Sequence, residues 1–226
     1  MKLHRNSQKR IVFEDACYFA TPKTYYNYPY FREWIFCDLF VENLKLWKEL
    51  KGFLLFGWVV IYDPPARSRS FATAKAGHIH LLFQPSDEFD ISDVMFSIKK
   101  QFAHNVNRIL GYNKTNIYPE GTEGAQALAR LQCLQKKSDI DVFVRILTIR
   151  FRFKRPNGHS FPKPACRQAG RFKWQKSFID HYIRNDWDFD DKLNYIAYNP
   201  DKHGLPDDWP YVFTNPKYDD LNDEIL

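Results

Sequence analysis

The stretch Gly77-His78-Ile79-His80-Leu81-Leu82-Phe83 decides how the rest of the chain is read. In an extended backbone, successive side chains point to opposite faces. Ile79, Leu81 and Phe83 then form an apolar face that must be covered, and His78 and His80 share the other face. Such a strand belongs in the middle of a sheet, with two imidazoles presented together. They would stand ~7 Å apart along the strand, close enough to converge on one divalent ion. The H-x-H spacing is a weak signal by itself, because a hydrogen-bonded surface pair has the same spacing.

Working outward, Phe53 to Tyr62 is a continuous apolar run and reads as a buried strand beside it. Between the two lies a loop, 63–76, carrying Arg67, Arg69 and Lys75. Upstream, Phe31 to Leu50 has helical periodicity (Ile35, Leu39, Phe40, Leu44, Trp47, Leu50), and Gly52 is a natural stop. Ile11 to Thr21 reads as an opening strand. Downstream, Ile91 to Leu110 places Ile91, Val94, Met95, Ile98, Phe102, Val106 and Ile109 on one helical face, ended by Gly111. Asp188 to Asn199 reads as a short helix, capped by Asp188 or Asp190 and stopped by Pro200. Strand, helix, strand, strand, helix, helix implies an α+β fold, an antiparallel sheet with helices packed on one face.

Residues 113–169 fit this pattern less well. They hold a Gly-rich turn (residues 120–124), a short helical stretch around Ala125 to Leu134, and the alternating run Ile149-Arg150-Phe151-Arg152-Phe153-Lys154. Asn157-Gly158 is a hairpin signal. The stretch reads as an insertion with a basic β-ribbon in a single domain spanning 1–226. An acidic tail at about 214–226 ends in Asp219, Asp220, Asp223 and Glu224. By charge sign it is a candidate occupant of a basic groove.

Hydrophobic residues make up 44% of the 226, enough for a core and against wholesale disorder. Lys and Arg number 33 against 27 acids, a net charge of +6 that favours a polyanionic partner. Cysteines 17, 37, 133 and 166 show no C-x-x-C spacing, which argues against structural zinc and suits a reducing compartment. The N-terminal residues lack an apolar leader, and no apolar run approaches the ~20 residues of a membrane span. A cytoplasmic location without membrane contact is the expectation.

Two further constellations carry chemistry. Tyr195 and Asn199, four apart, would share a helical face. Asn199 offers a neutral carbonyl oxygen that would complete a site with two imidazoles. Tyr195 offers a phenol able to attack phosphorus. Tyr198 is an equally visible phenol, and composition does not choose between them. The segment Trp174 to Arg184 contains Phe178, Asp180, His181, Ile183 and Arg184, and its plain reading is a strand leading to a helix around a buried Trp.

In these segments the chain resembles the single-tyrosine HUH transposases, most closely the REP-associated tyrosine transposases. Tyr18-Phe19-Ala20-Thr21 resembles the family's opening strand, and His78-Ile79-His80-Leu81-Leu82 its HUH motif. Ser97-Ile98-Lys99-Lys100 resembles the basic stretch of the following helix, and Trp174 with Phe178, Asp180, His181, Ile183 and Arg184 a W…F-x-D-H-x-I-R block. Tyr195-Ile196 with Asn199-Pro200, Lys202, Gly204 and Leu205 is similar to Y-I-x-x-N-P-x-K-x-G-L, followed by Trp209-Pro210. The resemblance covers 11–112 and 170–213. It departs from the family at Ala76-Gly77, where a tight Asn-His step is usual, and in the insertion.

The resemblance implies a ferredoxin-like HUH nuclease fold with Tyr195 as nucleophile. It implies Mg²⁺ or Mn²⁺ on His78, His80 and Asn199, and a 5′-phosphotyrosine intermediate. It implies single-stranded DNA bearing hairpins as substrate, and a role in DNA transposition and recombination. Lys99, Lys100, Arg150, Arg152, Lys154 and Arg184 are candidate DNA contacts, with His181 and Trp174 in supporting positions. Relatives include dimers and monomers, so homodimer and monomer both stay open. The competing readings are a domesticated transposase that binds hairpins as a regulator without catalysis, and a metallohydrolase using water.

Overall fold

The computed structural model describes residues 13, 16–25, 30–62, 77–110, 112, 140–144, 147 and 171–215. In chain order these form β1 (Tyr18–Thr21), α1 (Trp34–Lys51), β2 (Leu54–Ile61), β3 (His78–Gln84), α2 (Ile91–Ile109), β4 (Ile179–Tyr182), α3 (Asp186–Ala197), α4 (Asn199–Lys202) and β5 (Val212–Thr214). A 3₁₀ turn, Tyr30–Arg32, leads into α1. The strands lie in the order β4-β1-β3-β2-β5, every neighbouring pair antiparallel. The expected α+β architecture is therefore present. The run β1-α1-β2-β3-α2-β4 has the ferredoxin-like arrangement, and β5 is added on the outer edge of β2.

The helices begin and end for local reasons. Asp90 and Asp93 form a reciprocal capping box at the start of α2, and Ile91, Val94, Met95, Ile98, Phe102 and Val106 are its buried stripe. Gly52 closes α1 in the left-handed conformation (φ 63°), where its N–H donates to Lys48 O at 2.8 Å. Across the helix pair, Asn43 Nδ2 donates to Ile98 O at 3.0 Å. The expected stop at Gly111 lies outside the described residues. Of the opening strand expected over 11–21, Tyr18–Thr21 are paired, and residues 11, 12, 14 and 15 lie outside the described residues.

β3 divides the molecule as its alternation requires. On one face, Phe83 meets Phe53 at 5.5 Å. A side chain at Gly77, of the same parity, would meet the Phe31 ring at 3.0 Å. Phe31 packs in turn on Phe40 of α1 and Phe102 of α2. On the other face lies α3, a third helix in addition to the two packed together on the first. Its Leu193 and Ile196 methyls would lie 3.2 Å from a Cβ at Gly57 of β2, so the missing side chain lets the helix settle on the sheet.

Two details of α3 correct the sequence reading. Its cap is Asn185, whose side chain accepts from Asp188 N at 2.9 Å, not Asp188 or Asp190. The Asp188 carboxylate turns instead to His181. The helix also ends at Ala197, and Asn199 opens α4. Pro200 cannot extend the first helix, having no N–H and a ring that clashes one turn back, but it fits the first turn of a new one. The joint is Tyr198 (φ −91°, ψ 1°).

The C-terminal segment straps the sheet. Trp209 Nε1 donates to Val60 O at 2.9 Å, Val60 N donates to Tyr211 O at 2.9 Å, and Tyr211 OH donates to Asp38 at 2.6 Å. In the stretch read as an insertion, residues 140–144 are helical. Ile140, Val144 and Leu147 are buried, and Asp141 pairs with Arg108 of α2. The Gly-rich turn, the helix around 125–134, the Ile149–Lys154 ribbon and the acidic tail beyond Asn215 lie outside the described residues. Among the described residues, no helix is long and apolar enough to cross a membrane.

Candidate active site

β3 projects His78 and His80 onto the α3 face of the sheet, both buried at 9% and 5% exposure. Their ring centroids are 4.9 Å apart, so the rings lean together relative to the strand spacing. The Phe19 ring stacks on His80 at 5.1 Å with a 15° interplanar angle. His80 Nδ1 lies 2.8 Å from Thr21 Oγ1. In the tautomer with the proton on Nδ1, the ring donates to the Thr21 hydroxyl and leaves the Nε2 lone pair bare. Nε2 is buried and has no hydrogen-bond partner. Burial, reinforced by His78, His203, Lys23 and Lys202, pushes the imidazole pKa down to about 2, which keeps it neutral and able to donate a lone pair.

Asn199 is the second anomaly. It is 1% exposed, and neither its Oδ1 nor its Nδ2 has a partner. A buried amide left in this state costs roughly 1–3 kcal/mol per unsatisfied group. A bare imidazole nitrogen together with a bare amide oxygen is a donor set that fits a divalent cation. Among the described residues, no three His, Cys, Asp or Glu side chains gather as a metal cage. The short helix that Asn199 opens reaches the histidines at its far end, where the His203 ring is 5.2 Å from that of His78.

Tyr195 stands over this pocket. Its ring lies 5.1 Å from His80 and 5.8 Å from Phe19, and the Lys202 ammonium is 5.1 Å from its centroid. It is 36% exposed, so its phenol is reachable from outside. Tyr198 is 68% exposed at the joint between α3 and α4. The helix break thus separates two phenols that sequence alone leaves equivalent.

The remaining expected residues divide. His181 Nε2 meets the Asp188 carboxylate at 2.8 and 2.9 Å, and the Arg184 N–H donates to the same group at 3.2 Å. Burial would raise the Asp188 pKa, but these bonds and the charges of His181 and Lys192 outweigh it and hold the carboxyl below its ordinary range. His181 therefore latches β4 to α3. Arg184 is exposed at the start of that helix. Trp174 Nε1 donates to Lys99 O at 3.0 Å, and Lys99 Nζ donates to Gln175 O at 3.0 Å, so these two fasten α2 to the segment before β4. Lys100 is exposed. Arg150, Arg152 and Lys154 lie outside the described residues. Sequence reasoning gave no role to Thr21, Phe19 or His203. The parity of the opening strand could have pointed to Thr21 and Phe19; nothing in the sequence singles out His203.

No family model matches the chain. A Haemophilus influenzae protein named "Putative REP-associated tyrosine transposase" is 36% identical over 86 residues, covering 33% of this chain and 46% of the relative. The chain thus spans about half the length of the curated relative it matches. A solved REP-associated tyrosine transposase bound to a REP hairpin superposes with a TM-score of 0.50 at 18% identity, covering 94% of this chain and 82% of that one, a likeness of fold. In a third of its sequence, and in fold over nearly its whole length, the chain is similar to REP-associated tyrosine transposases.

Proposed function

We propose that the chain is a metal-dependent single-strand DNA endonuclease and strand transferase that cuts beside hairpins through Tyr195. One observation carries the reading: the Tyr195 ring stands 5.1 Å from that of His80, whose buried Nε2 has no partner, and Asn199, just beyond the same helix, has a buried amide without partners. The hairpin bound by the solved relative suggests the substrate class.

In this mechanism Tyr195 Oη attacks the scissile phosphorus, the P–O3′ bond breaks, and the products are a 5′-phosphotyrosine and a free 3′-OH. The covalent bond keeps the energy of the one broken, so a second 3′-OH can reverse the step and join new ends. His78, His80 and Asn199 would hold Mg²⁺ or Mn²⁺, which supplies polarisation of the phosphate and offsets charge in the transition state. Phe19 and Thr21 hold the His80 ring in one orientation. Lys202 braces the Tyr195 ring, and Arg184, exposed just ahead of α3, would meet backbone phosphate. The target backbone must be unpaired to reach a pocket of this kind.

The test is incubation of end-labelled hairpin DNA with an unpaired flank in Mn²⁺. A protein–DNA adduct that survives denaturation is expected, and Tyr195→Phe abolishes it. An adduct persisting in Tyr195→Phe would assign the wrong nucleophile. Cleavage without an adduct would make the chain a metallohydrolase, and hairpin binding without cleavage would make it a regulator.

A further inference from the structure

On the far side of the sheet from Tyr195, a groove of about 590 Å³ opens between α2 and the segment that precedes β4. Four lysines line it, Lys99, Lys100, Lys173 and Lys176, and no acidic side chain does. Its apolar surface comes largely from aromatic rings. Phe96, on an outward-facing turn of α2, is 64% exposed, an unusual position for so large an apolar group. The Lys100 ammonium lies 5.2 Å from the Phe96 ring centroid, and the Lys99 ammonium 5.6 Å from that of Phe178. The walls are held in place: Lys99 and Trp174 tie the helix to the opposite strand, and Asn107 exchanges hydrogen bonds with Phe172 at 2.8 and 3.1 Å.

An exposed ring, Phe96, and a half-buried one, Phe178, each beside a lysine, with no carboxylate to repel an anion, match the chemistry of unpaired nucleotides. Bases stack on the rings and phosphates meet the ammonium groups. A duplex would use the lysines but hide its base faces. We infer that this groove is a second nucleic-acid site, which binds an unpaired stretch of the DNA backbone and its bases away from the Tyr195 pocket. The inference rests on the reading of the chain as DNA-acting, and its binding test needs neither the metal nor cleavage.

The test uses the full chain without divalent metal and a fluorescein-labelled 12-nucleotide oligothymidylate, followed by anisotropy across a salt series. Phe96→Ala is expected to weaken binding roughly tenfold, because each stacked base is lost with its platform. It should leave a 12-base-pair duplex within about twofold. Replacing Lys100, Lys173 and Lys176 together by Gln should flatten the log Kd against log salt slope by about 2. An unchanged slope, equal losses for oligothymidylate and duplex in Phe96→Ala, or equal competition by poly-glutamate would overturn the proposal. Circular dichroism of each variant shows that the fold is kept. The absence of metal separates the two readings: the binding result stands whether or not the parent forms an adduct with Mn²⁺.

Discussion

At the scale of single residues, the site holds polar atoms that the apo fold does not satisfy, and this makes ligand and stability separable. Asn199 is buried with both amide atoms bare. Asn199→Leu should therefore leave the metal-free protein at least as stable, by up to about 1 kcal/mol. On the proposed function Mn²⁺ should raise the melting temperature of the parent, and the same variant should lose that rise. Scanning calorimetry with and without Mn²⁺ checks both parts, and a retained Mn²⁺ shift would remove Asn199 from the ligand set. His80 gives a pH dependence of known sign. Its folded pKa, about 2, lies below the unfolded value of 6.5. The unfolded chain thus takes up a proton as pH falls through 6.5 and the folded chain does not, so stability is fully present above 6.5 and drops below it. The slope reaches about 1.4 kcal/mol per pH unit. Urea midpoints from pH 7.5 to 5 should show this, and His80→Gln should flatten it. The histidine pair was legible in the sequence because strand alternation is a strict rule. Periodicity did not choose between the phenols; the family resemblance selects Tyr195, and the helix break at Tyr198 sets the two apart in the structure.

At the scale of elements, Gly57 and Asn185 control where α3 sits. A side chain at Gly57 would press on Leu193, Ile196 and the Phe213 carbonyl. Gly57→Val is therefore expected to cost about 1–3 kcal/mol by overpacking. It should slow adduct formation, because it shifts the helix that carries Tyr195, and it should weaken Mn²⁺ binding as well, because Asn199 follows that helix directly through Tyr198. Unchanged adduct formation would mean that the helix had not moved. Asn185→Ala removes the cap and should cost about 1 kcal/mol in denaturant unfolding. Most elements could be read from periodicity, and their ends could not. The start of α3 turns on which of several Asn and Asp residues accepts the backbone hydrogen bond. Asp188 is claimed by His181, a partner contributed by a neighbouring strand.

At the scale of the whole molecule, the stretch 113–169 reads as an added arm, yet Val144 and Leu147 belong to the main core and Asp141 pairs with α2. Leu147→Ala should cost 2–5 kcal/mol, as for any core leucine, where a solvated appendage would give almost nothing. Thermal unfolding measures the difference. The sequence pattern sets this stretch apart because its periodic runs, around 125–134 and over 149–154, are short and do not include the buried positions Ile140, Val144 and Leu147. Burial of three isolated positions leaves no periodic trace.

The Trp209–Val60 hydrogen bond joins residues 149 apart in sequence, and β4 and β5 both enter the sheet late in the chain. Contacts of such separation are slow to form. During synthesis the two histidines leave the ribosome long before the phenol does, on a sheet still lacking both its edge strands. A partial product that ends before α3 carries the imidazoles without Tyr195, so on the proposed function such a fragment should form no adduct with DNA.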